Sequence, residues 1–430
     1  MRHIMISTFL LTACILWTMG CGGDKSSATP TDGDPKSATE KPDVEATPEQ
    51  AKTAQGVPGR TLLVTQSNFA KNDKGKYVVP DSGELLLLTP TDNIWKAERI
   101  KDTESNVFHK AIQYGKDGIF TIGANKAMLK LWKRNGSKWD SETIWNPTFG
   151  GEQNRLRDFE LADFDKDGTD ELAIATHDQG VVAVAWNKDG KWEVQEIDRK
   201  ENTFVHEIEV GDLDKDGNME IFATPSEPNT ASGVDQGGAI LRYAWTGEKF
   251  KKSEVVKYDK RHIKEILVAD VDGDGTQELY AALEAEMGAN FAIEVPVEIM
   301  RYDYKDGKFE SKKVISLNDR FCRFLTAGDV DGDGKTELIA AAFSAGVWVM
   351  NLEGDAYKGE CIDKNSGGFE HAAYLADMNG DGQLELYVAD DNSGSLRQYT
   401  YKNGAYEPKV IQKRLVPKSA MVWNITVADL

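Results

Sequence analysis

The pattern D-x-D-x-D-G-x-x-E, met five times, constrains this chain more than any other feature. The copies begin at Asp163, Asp212, Asp270, Asp329 and Asp377, at intervals of 48–59 residues, and the last has Asn379 at its third position. An apolar run follows each one. A recurring period of this size marks a repeat architecture, in which each unit buries its apolar face against its neighbours. The 430 residues would allow two or three domains by length, but a repeat array makes one large one.

Side chains at positions 1, 3 and 5 of a tight loop can point oxygens at one centre. Position 7 offers its carbonyl, Gly at 6 permits the sharp turn, and Glu at 9 completes the shell; this is a hard-oxygen site of calcium type. The candidate ligand sets are Asp163, Asp165, Asp167, Thr169 and Glu171; Asp212, Asp214, Asp216, Asn218 and Glu220; and Asp270, Asp272, Asp274, Thr276 and Glu278. The remaining two are Asp329, Asp331, Asp333, Lys335 and Glu337; and Asp377, Asn379, Asp381, Gln383 and Glu385. A helical EF-hand needs Glu at position 12, where this chain has Ile174, Ala223, Ala281, Ala340 and Val388. The expectation is about five structural calcium ions (Ca2+) in loops between strands. The alternative is five acidic turns without metal.

The net charge of -20 follows in part from these loops, which hold 19 carboxylates at positions 1, 3, 5 and 9. With no basic stripe to neutralise phosphates, nucleic acid is excluded as a partner.

A second signal counts units independently: a polar turn followed by an aromatic, at Trp95, Trp139, Trp192, Phe250, Phe309, Tyr357 and Tyr406. Such turns join two strands of a hairpin. Short alternating or apolar strands run from Arg60 to the end with no sustained helical period, so the chain is all-β. Four strands per unit and seven units predict a seven-bladed β-propeller of antiparallel blades over residues 60–430. A solenoid is the alternative. The first unit lacks an innermost strand, and the closing N-I-T-V-A-D-L resembles the stretch before each acidic loop, so the C-terminal strand is expected to complete blade 1 and close the ring.

Arg2 and His3 precede an apolar stretch, 4–19, that reads as a signal peptide over 1–20 rather than a membrane span. G-C-G-G-D-K-S-S resembles a bacterial lipoprotein signal, with Cys21 as the lipidated residue and Cys14 as the other candidate. The expected setting is an exported protein of the cell envelope, anchored to a membrane by lipid. Residues 21–59, rich in Ser, Thr, Pro, Lys and Glu, cannot bury a core and read as a disordered tether on the order of 35 Å long. Cys322 and Cys361 fall on the first and fourth strands of one blade, too far apart for a disulfide at about 4.8 Å per strand step.

On the acidic loops and the strand pattern, the repeats resemble the FG-GAP/VCBS repeats of integrin-α-like seven-bladed propellers and of many secreted bacterial proteins. The F-G and G-A-P letters themselves are nearly absent; F-A-T-P at 222–225 is the nearest echo. The resemblance implies a calcium-rigidified propeller that binds glycans or proteins, with structural calcium and no fixed ligand.

Three second-to-third-strand connections are long, 67–83, 226–238 and 284–296, and all fall on the face opposite the acidic loops. Six residues before the loop aspartates, at the start of the innermost strands, stand Arg157, His206, Lys264, Arg323 and His371, with His109 and Trp423 at the matching places in blades 2 and 1. Such a ring at the tunnel mouth suits an anionic ligand, a uronate, sulfate or carboxylate on a glycan or surface protein. The alternative is pairing between blades, since Asp158, Glu207 and Glu265 come next in sequence. Two further functions stay open: a polysaccharide lyase using His206, His371, Glu207 and Glu209, and a protein–protein scaffold with structural calcium alone.

Overall fold

The computed structural model describes residues 57, 59–68, 70–71, 77–79, 81–91, 94–124, 126–151, 154–228, 236–288, 292–413 and 420–430. The expected signal peptide, both lipidation candidates and nearly all of the expected tether lie outside the described residues.

Seven four-stranded antiparallel sheets form a closed propeller. Strands run a to d from the axis outward. Blades 2 to 7 follow in chain order over 108–145, 156–198, 204–258, 263–317, 322–363 and 373–413. Blade 1 is built from both ends: Arg60–Asn68, Gly83–Pro90 and Trp95–Asp102 supply strands b to d, and Ala420–Asp429 supplies strand a. The closing register pairs Leu62 with Val427 and Val64 with Ile425. Val422 and Ile425 pack with Leu62, Leu86 and blade 7's Tyr387 in one apolar cluster. The C-terminal strand is therefore both a ladder partner and an interblade wedge, as the sequence leads one to expect.

The layering follows from residue type. Strand b lies between flanking blades and is buried at every position in Glu171–Thr176, Glu278–Leu283 and Glu337–Ala342. Its continuous small and branched apolar residues suit burial on both faces. Strand d alternates exposed and half-buried residues, as in Lys191–Asp198. The turn aromatics dock on the preceding blade. Trp192 meets Phe120 with ring centroids 5.2 Å apart, Phe250 meets Phe164 at 5.3 Å, Phe309 meets Phe222 at 6.2 Å, and Trp95 meets Tyr387 at 6.0 Å across the closure. Burying such a ring contributes roughly 1.5–3 kcal/mol, so the second sequence repeat is the interblade cement. Cys322 is buried and Cys361 half-buried, and both are free thiols on strands a and d of blade 6.

Candidate functional site

All five acidic loops connect strand a to strand b at one end of the ring. Position 2 is apolar and buried each time: Phe164, Leu213, Val271, Val330 and Met378. Its backbone N–H donates to one oxygen of the buried ninth-position glutamate, from Phe164 to Glu171 at 3.0 Å, with the same bond in the other four loops. The first aspartate accepts the N–H of the sixth-position glycine, at 2.9 Å from Gly168 to Asp163 and 3.0 Å from Gly334 to Asp329. That glycine has φ of 79–88° in every loop, a backbone region that other L-residues enter at a cost. Position 4 is also left-handed, as Lys166 and Lys215 in two loops and glycine in three.

Carboxylate oxygens of Asp270, Asp272, Asp274 and Glu278 lie within 4.8 Å of one another, as do those of Asp163, Asp165 and Glu171. The triplets Asp212, Asp214, Asp216 and Asp329, Asp331, Asp333 gather likewise. Three or four hard oxygens converging in a loop whose N–H groups already hold the carboxylates fit a calcium-type ion. Glu220 and Glu337 stand outside these groups, and the loop at Asp377, with Asn379 at its third position, forms no such group among the described residues. Thr169, Asn218, Thr276, Lys335 and Gln383 sit at position 7, where their N–H groups donate to the position-5 aspartate at 2.7–2.9 Å. In the metal-free protein burial pushes Glu171, Glu278, Glu337 and Glu385 up to about 7.

At the other end of the innermost strands, the ring residues share a geometry that sequence alone does not show. The register skips His109, Arg157, Lys264 and Arg323, each the extra residue of a β-bulge, and it slips across His206 and Trp423 in the same way. His371 takes φ of 58° just before its strand. A bulge re-aims one side chain out of the alternation, and Arg157 and Arg323 form ion pairs between blades, through carboxylates other than Asp158, Glu207 and Glu265. Arg157 bonds instead to Glu370 at 3.0 Å. Arg323 reaches Glu370 at 3.4 Å and lies 3.0 Å from Glu284, which also neighbours Lys264 at 3.5 Å.

Burial, reinforced by Arg157, pulls Arg155 down to about 10, and burial with Arg323 pulls Lys264 down to about 8 against the pull of Glu284. The histidines are held toward the neutral form. His109 Nδ1 lies 2.6 Å from the Leu156 carbonyl, and since a carbonyl only accepts, Nδ1 is the donor. His177 Nε2 and His206 Nδ1 share a 2.5 Å bond, and His371 spans Ala342 O at 2.6 Å and Ser366 Oγ at 2.8 Å. Burial first, then nearby cations, depress His109 and His177 well below the usual range; for His206 the first neighbour is His177. Burial brings His371 to about 4. His206 Nε2, His262 Nε2 and Arg323 Nε are buried without a partner among the described residues. Trp423 donates to Ser67 Oγ at 2.7 Å and stands 5.6 Å from the Arg157 guanidinium carbon.

Between mouth and loops lies a group that the sequence reading did not assemble. Lys110 of blade 2 is buried 2.9 Å from Asp158 and in contact with Glu160, both of blade 3. Asp158 accepts the Ile208 N–H at 3.0 Å, and Glu265 accepts the Leu325 N–H at 2.6 Å. Burial, then neighbouring carboxylates, hold Glu207 and Glu209 well above the usual range; burial does the same for Glu265, with Asp158 adding to it against its backbone bond. The D-F-E and H-E-I-E spellings before the first two loops were the available signal.

The FG-GAP-like repeat family matches residues 163–223 and 270–340, each stretch running from one acidic loop into strand b of the next blade. These parts of the chain are FG-GAP-like repeats. No curated protein matches the sequence. Among solved structures the chain is similar to an Agrocybe aegerita lectin that recognises non-reducing terminal N-acetylglucosamine, at 16% identity, TM-score 0.50, over 85% of this chain and 95% of that one. It is also similar to a putative 6-phosphogluconolactonase from Bacteroides uniformis, at 14% identity, TM-score 0.53, over 85% and 99%. A second, from Bacteroides fragilis, has 13% identity, TM-score 0.51, over 86% and 98%. Identities this low establish the shared fold alone.

Proposed function

We propose that the chain is a calcium-stabilised propeller acting as a binding module at the cell envelope, held to a membrane by lipid at Cys21, with an acidic glycan or acidic protein surface as its ligand at the tunnel mouth. The observation that carries this reading is the cluster of buried cations there. Arg157 and Arg323 both pair with Glu370, and Arg323 and Lys264 both lie beside Glu284, so three buried cations share these two carboxylates at one end of the innermost strands. A carboxylate or sulfate presented from solvent would meet guanidinium groups already fixed in orientation.

The test is a binding screen of neutral, uronate-bearing and sulfated glycans, beside acidic and basic proteins, in calcium. Binding confined to acidic ligands and reduced at least about tenfold by Arg323→Gln supports the reading; equal retention of neutral glycans defeats it. Turnover of an acidic polysaccharide that disappears in His206→Ala would move the assignment to the lyase class. The anchor is tested separately, by fatty-acid labelling of the wild type and of Cys21→Ser.

A further inference from the structure

The five acidic loops are near-copies in sequence, but the strands behind them are not. In blade 4, Arg242 on strand c contacts both Asp214 and Glu220, the third and ninth loop positions. In blade 5, Arg301 makes the same bridge, 2.6 Å from Asp272 and 3.4 Å from Glu278. The register makes the two arginines equivalent: Arg242 stands opposite Phe222 and Arg301 opposite Tyr280, each the eleventh residue counted from the first loop aspartate. The same place is Val184 in blade 3, Val349 in blade 6 and Gln398 in blade 7.

Blade 7 reaches a similar end by another route. Its third position is Asn379, whose amide donates to Glu385 Oε1 at 2.5 Å. In blades 4 and 7 a side-chain N–H group therefore holds the oxygen of the ninth-position glutamate that the loop backbone leaves over, and in blade 5 Arg301 pairs with that oxygen at 3.4 Å. In blades 3 and 6 no donor among the described residues reaches that oxygen of Glu171 or Glu337. Formal charge over positions 1, 3, 5 and 9 with these partners is -4 in blades 3 and 6 and -3 in the other three, although in blade 5 Arg301 is also shared with Asp303 at 2.6 Å. Lys335 in blade 6 pairs with Asp333 at 3.3 Å, but it is 73% exposed and solvent screens it.

We infer that the loops form two classes of cation site. Blades 3 and 6 carry the tight, metal-dependent sites. Blades 4, 5 and 7 are partly neutralised by Arg242, Arg301 and Asn379, so they hold their shape with less help from metal and bind it more weakly. The reason is ligand charge, which tunes hard-cation affinity at fixed loop geometry. Arg242 and Arg301 are thus internal counter-ions, and the metal response of the ring is graded rather than fivefold uniform. The inference rests on the calcium reading of the loops.

The experiment is calcium titration of the whole chain, stripped of metal, by calorimetry with a competing chelator and by native mass spectrometry of the bound-ion count. Two ions are expected to bind first and three afterwards, at least about tenfold more weakly. Asn379→Asp, which adds one carboxylate at an exposed loop, should move one site into the tight class, giving three and two. Arg301→Gln should do the same for blade 5 and lower the melting temperature of the metal-free protein only. Five equivalent sites, or weaker binding in Asn379→Asp and Arg301→Gln, overturns the two classes. No calcium bound at any loop overturns the calcium reading itself, which is a separate outcome.

Discussion

The two ends of the innermost strands solve opposite electrostatic problems. At the loop end, carboxylates gather near solvent and are held by N–H groups of their own nine-residue segment, as where Gly168 and Thr169 donate to Asp163 and Asp167. At the mouth and in the throat, charges are buried and their partners come from other blades, as where Arg157 of blade 3 meets Glu370, which precedes blade 7. The loop end is local chemistry repeated five times. The axial end is a single long-range assembly that exists only when the ring is closed. Local chemistry tolerates the loss of a copy, whereas the assembly does not.

That difference sets the largest expected effect. Removing residues 421–430 takes away the innermost strand of blade 1, together with the Trp423 bond to Ser67 and the apolar wedge of Val422 and Ile425. The truncated chain should show no cooperative thermal transition. Circular dichroism and limited proteolysis check this, and an unchanged melting temperature would mean that closure is dispensable. Chelation is the next largest. A site bound only in the folded state adds about 2.7 kcal/mol at a hundredfold excess of ion over its dissociation constant. Two tight sites therefore imply a fall in melting temperature on the order of 10 °C on metal removal. Absence of any shift would detach the loops from stability altogether.

Legibility follows the same division. Spacing alone phases the blades, because Asp at 1, 3 and 5 with Gly at 6 is a within-segment pattern, and the terminal N-I-T-V-A-D-L can be matched to its fellows letter by letter. The mouth residues are placed on the right end of the right strand by counting back from the loops. Their partners are not readable. Glu284 lies in a loop of blade 5 and Glu370 in the loop leading to blade 7, and the bulges that turn Arg157 and Arg323 toward them leave no residue signature. Arg242 is equally silent, since its meaning comes from facing Phe222 across a strand pair.

The ends also respond differently to pH. In the metal-free protein Glu207, Glu209, Glu265 and the ninth-position glutamates hold protons more tightly folded than unfolded, so the native state binds more protons and stability falls as pH rises through their folded values. The buried histidines have the opposite sign. They stay neutral in the fold while unfolded histidine protonates near pH 6.5, so their contribution is lost as pH falls below that point. Below pH 6.5 the two sets oppose each other, and above it only the glutamate loss continues, so metal-free stability should fall between pH 6.5 and 8, as denaturant titrations would show. Calcium binding should only weaken with acid, because the ion must displace protons from glutamates that titrate at about 7. A calcium affinity that is flat between pH 8 and 5.5 would mean that these glutamates do not contribute to the site.

The smallest expected effect separates exposed from buried counter-ions within the loops themselves. Lys335 and Arg301 each pair with a loop aspartate, Lys335 at 3.3 Å from Asp333 and Arg301 at 2.6 Å from Asp272. The lysine is 73% exposed on its side chain and the arginine 12%. An exposed pair contributes about 0–1 kcal/mol and is screened by salt, whereas a largely buried guanidinium among the carboxylates of Asp272, Glu278 and Asp303 is screened far less. Lys335→Ala should therefore leave the metal-free melting temperature within about 1 °C and raise calcium affinity at blade 6 by less than about threefold, with the gain erased at 0.5 M salt. The Arg301→Gln effect should survive that salt. Equal salt sensitivity in the two variants would place Arg301 in the same solvent-screened class as the lysine, and the distinction between the loops would then reduce to carboxylate count alone.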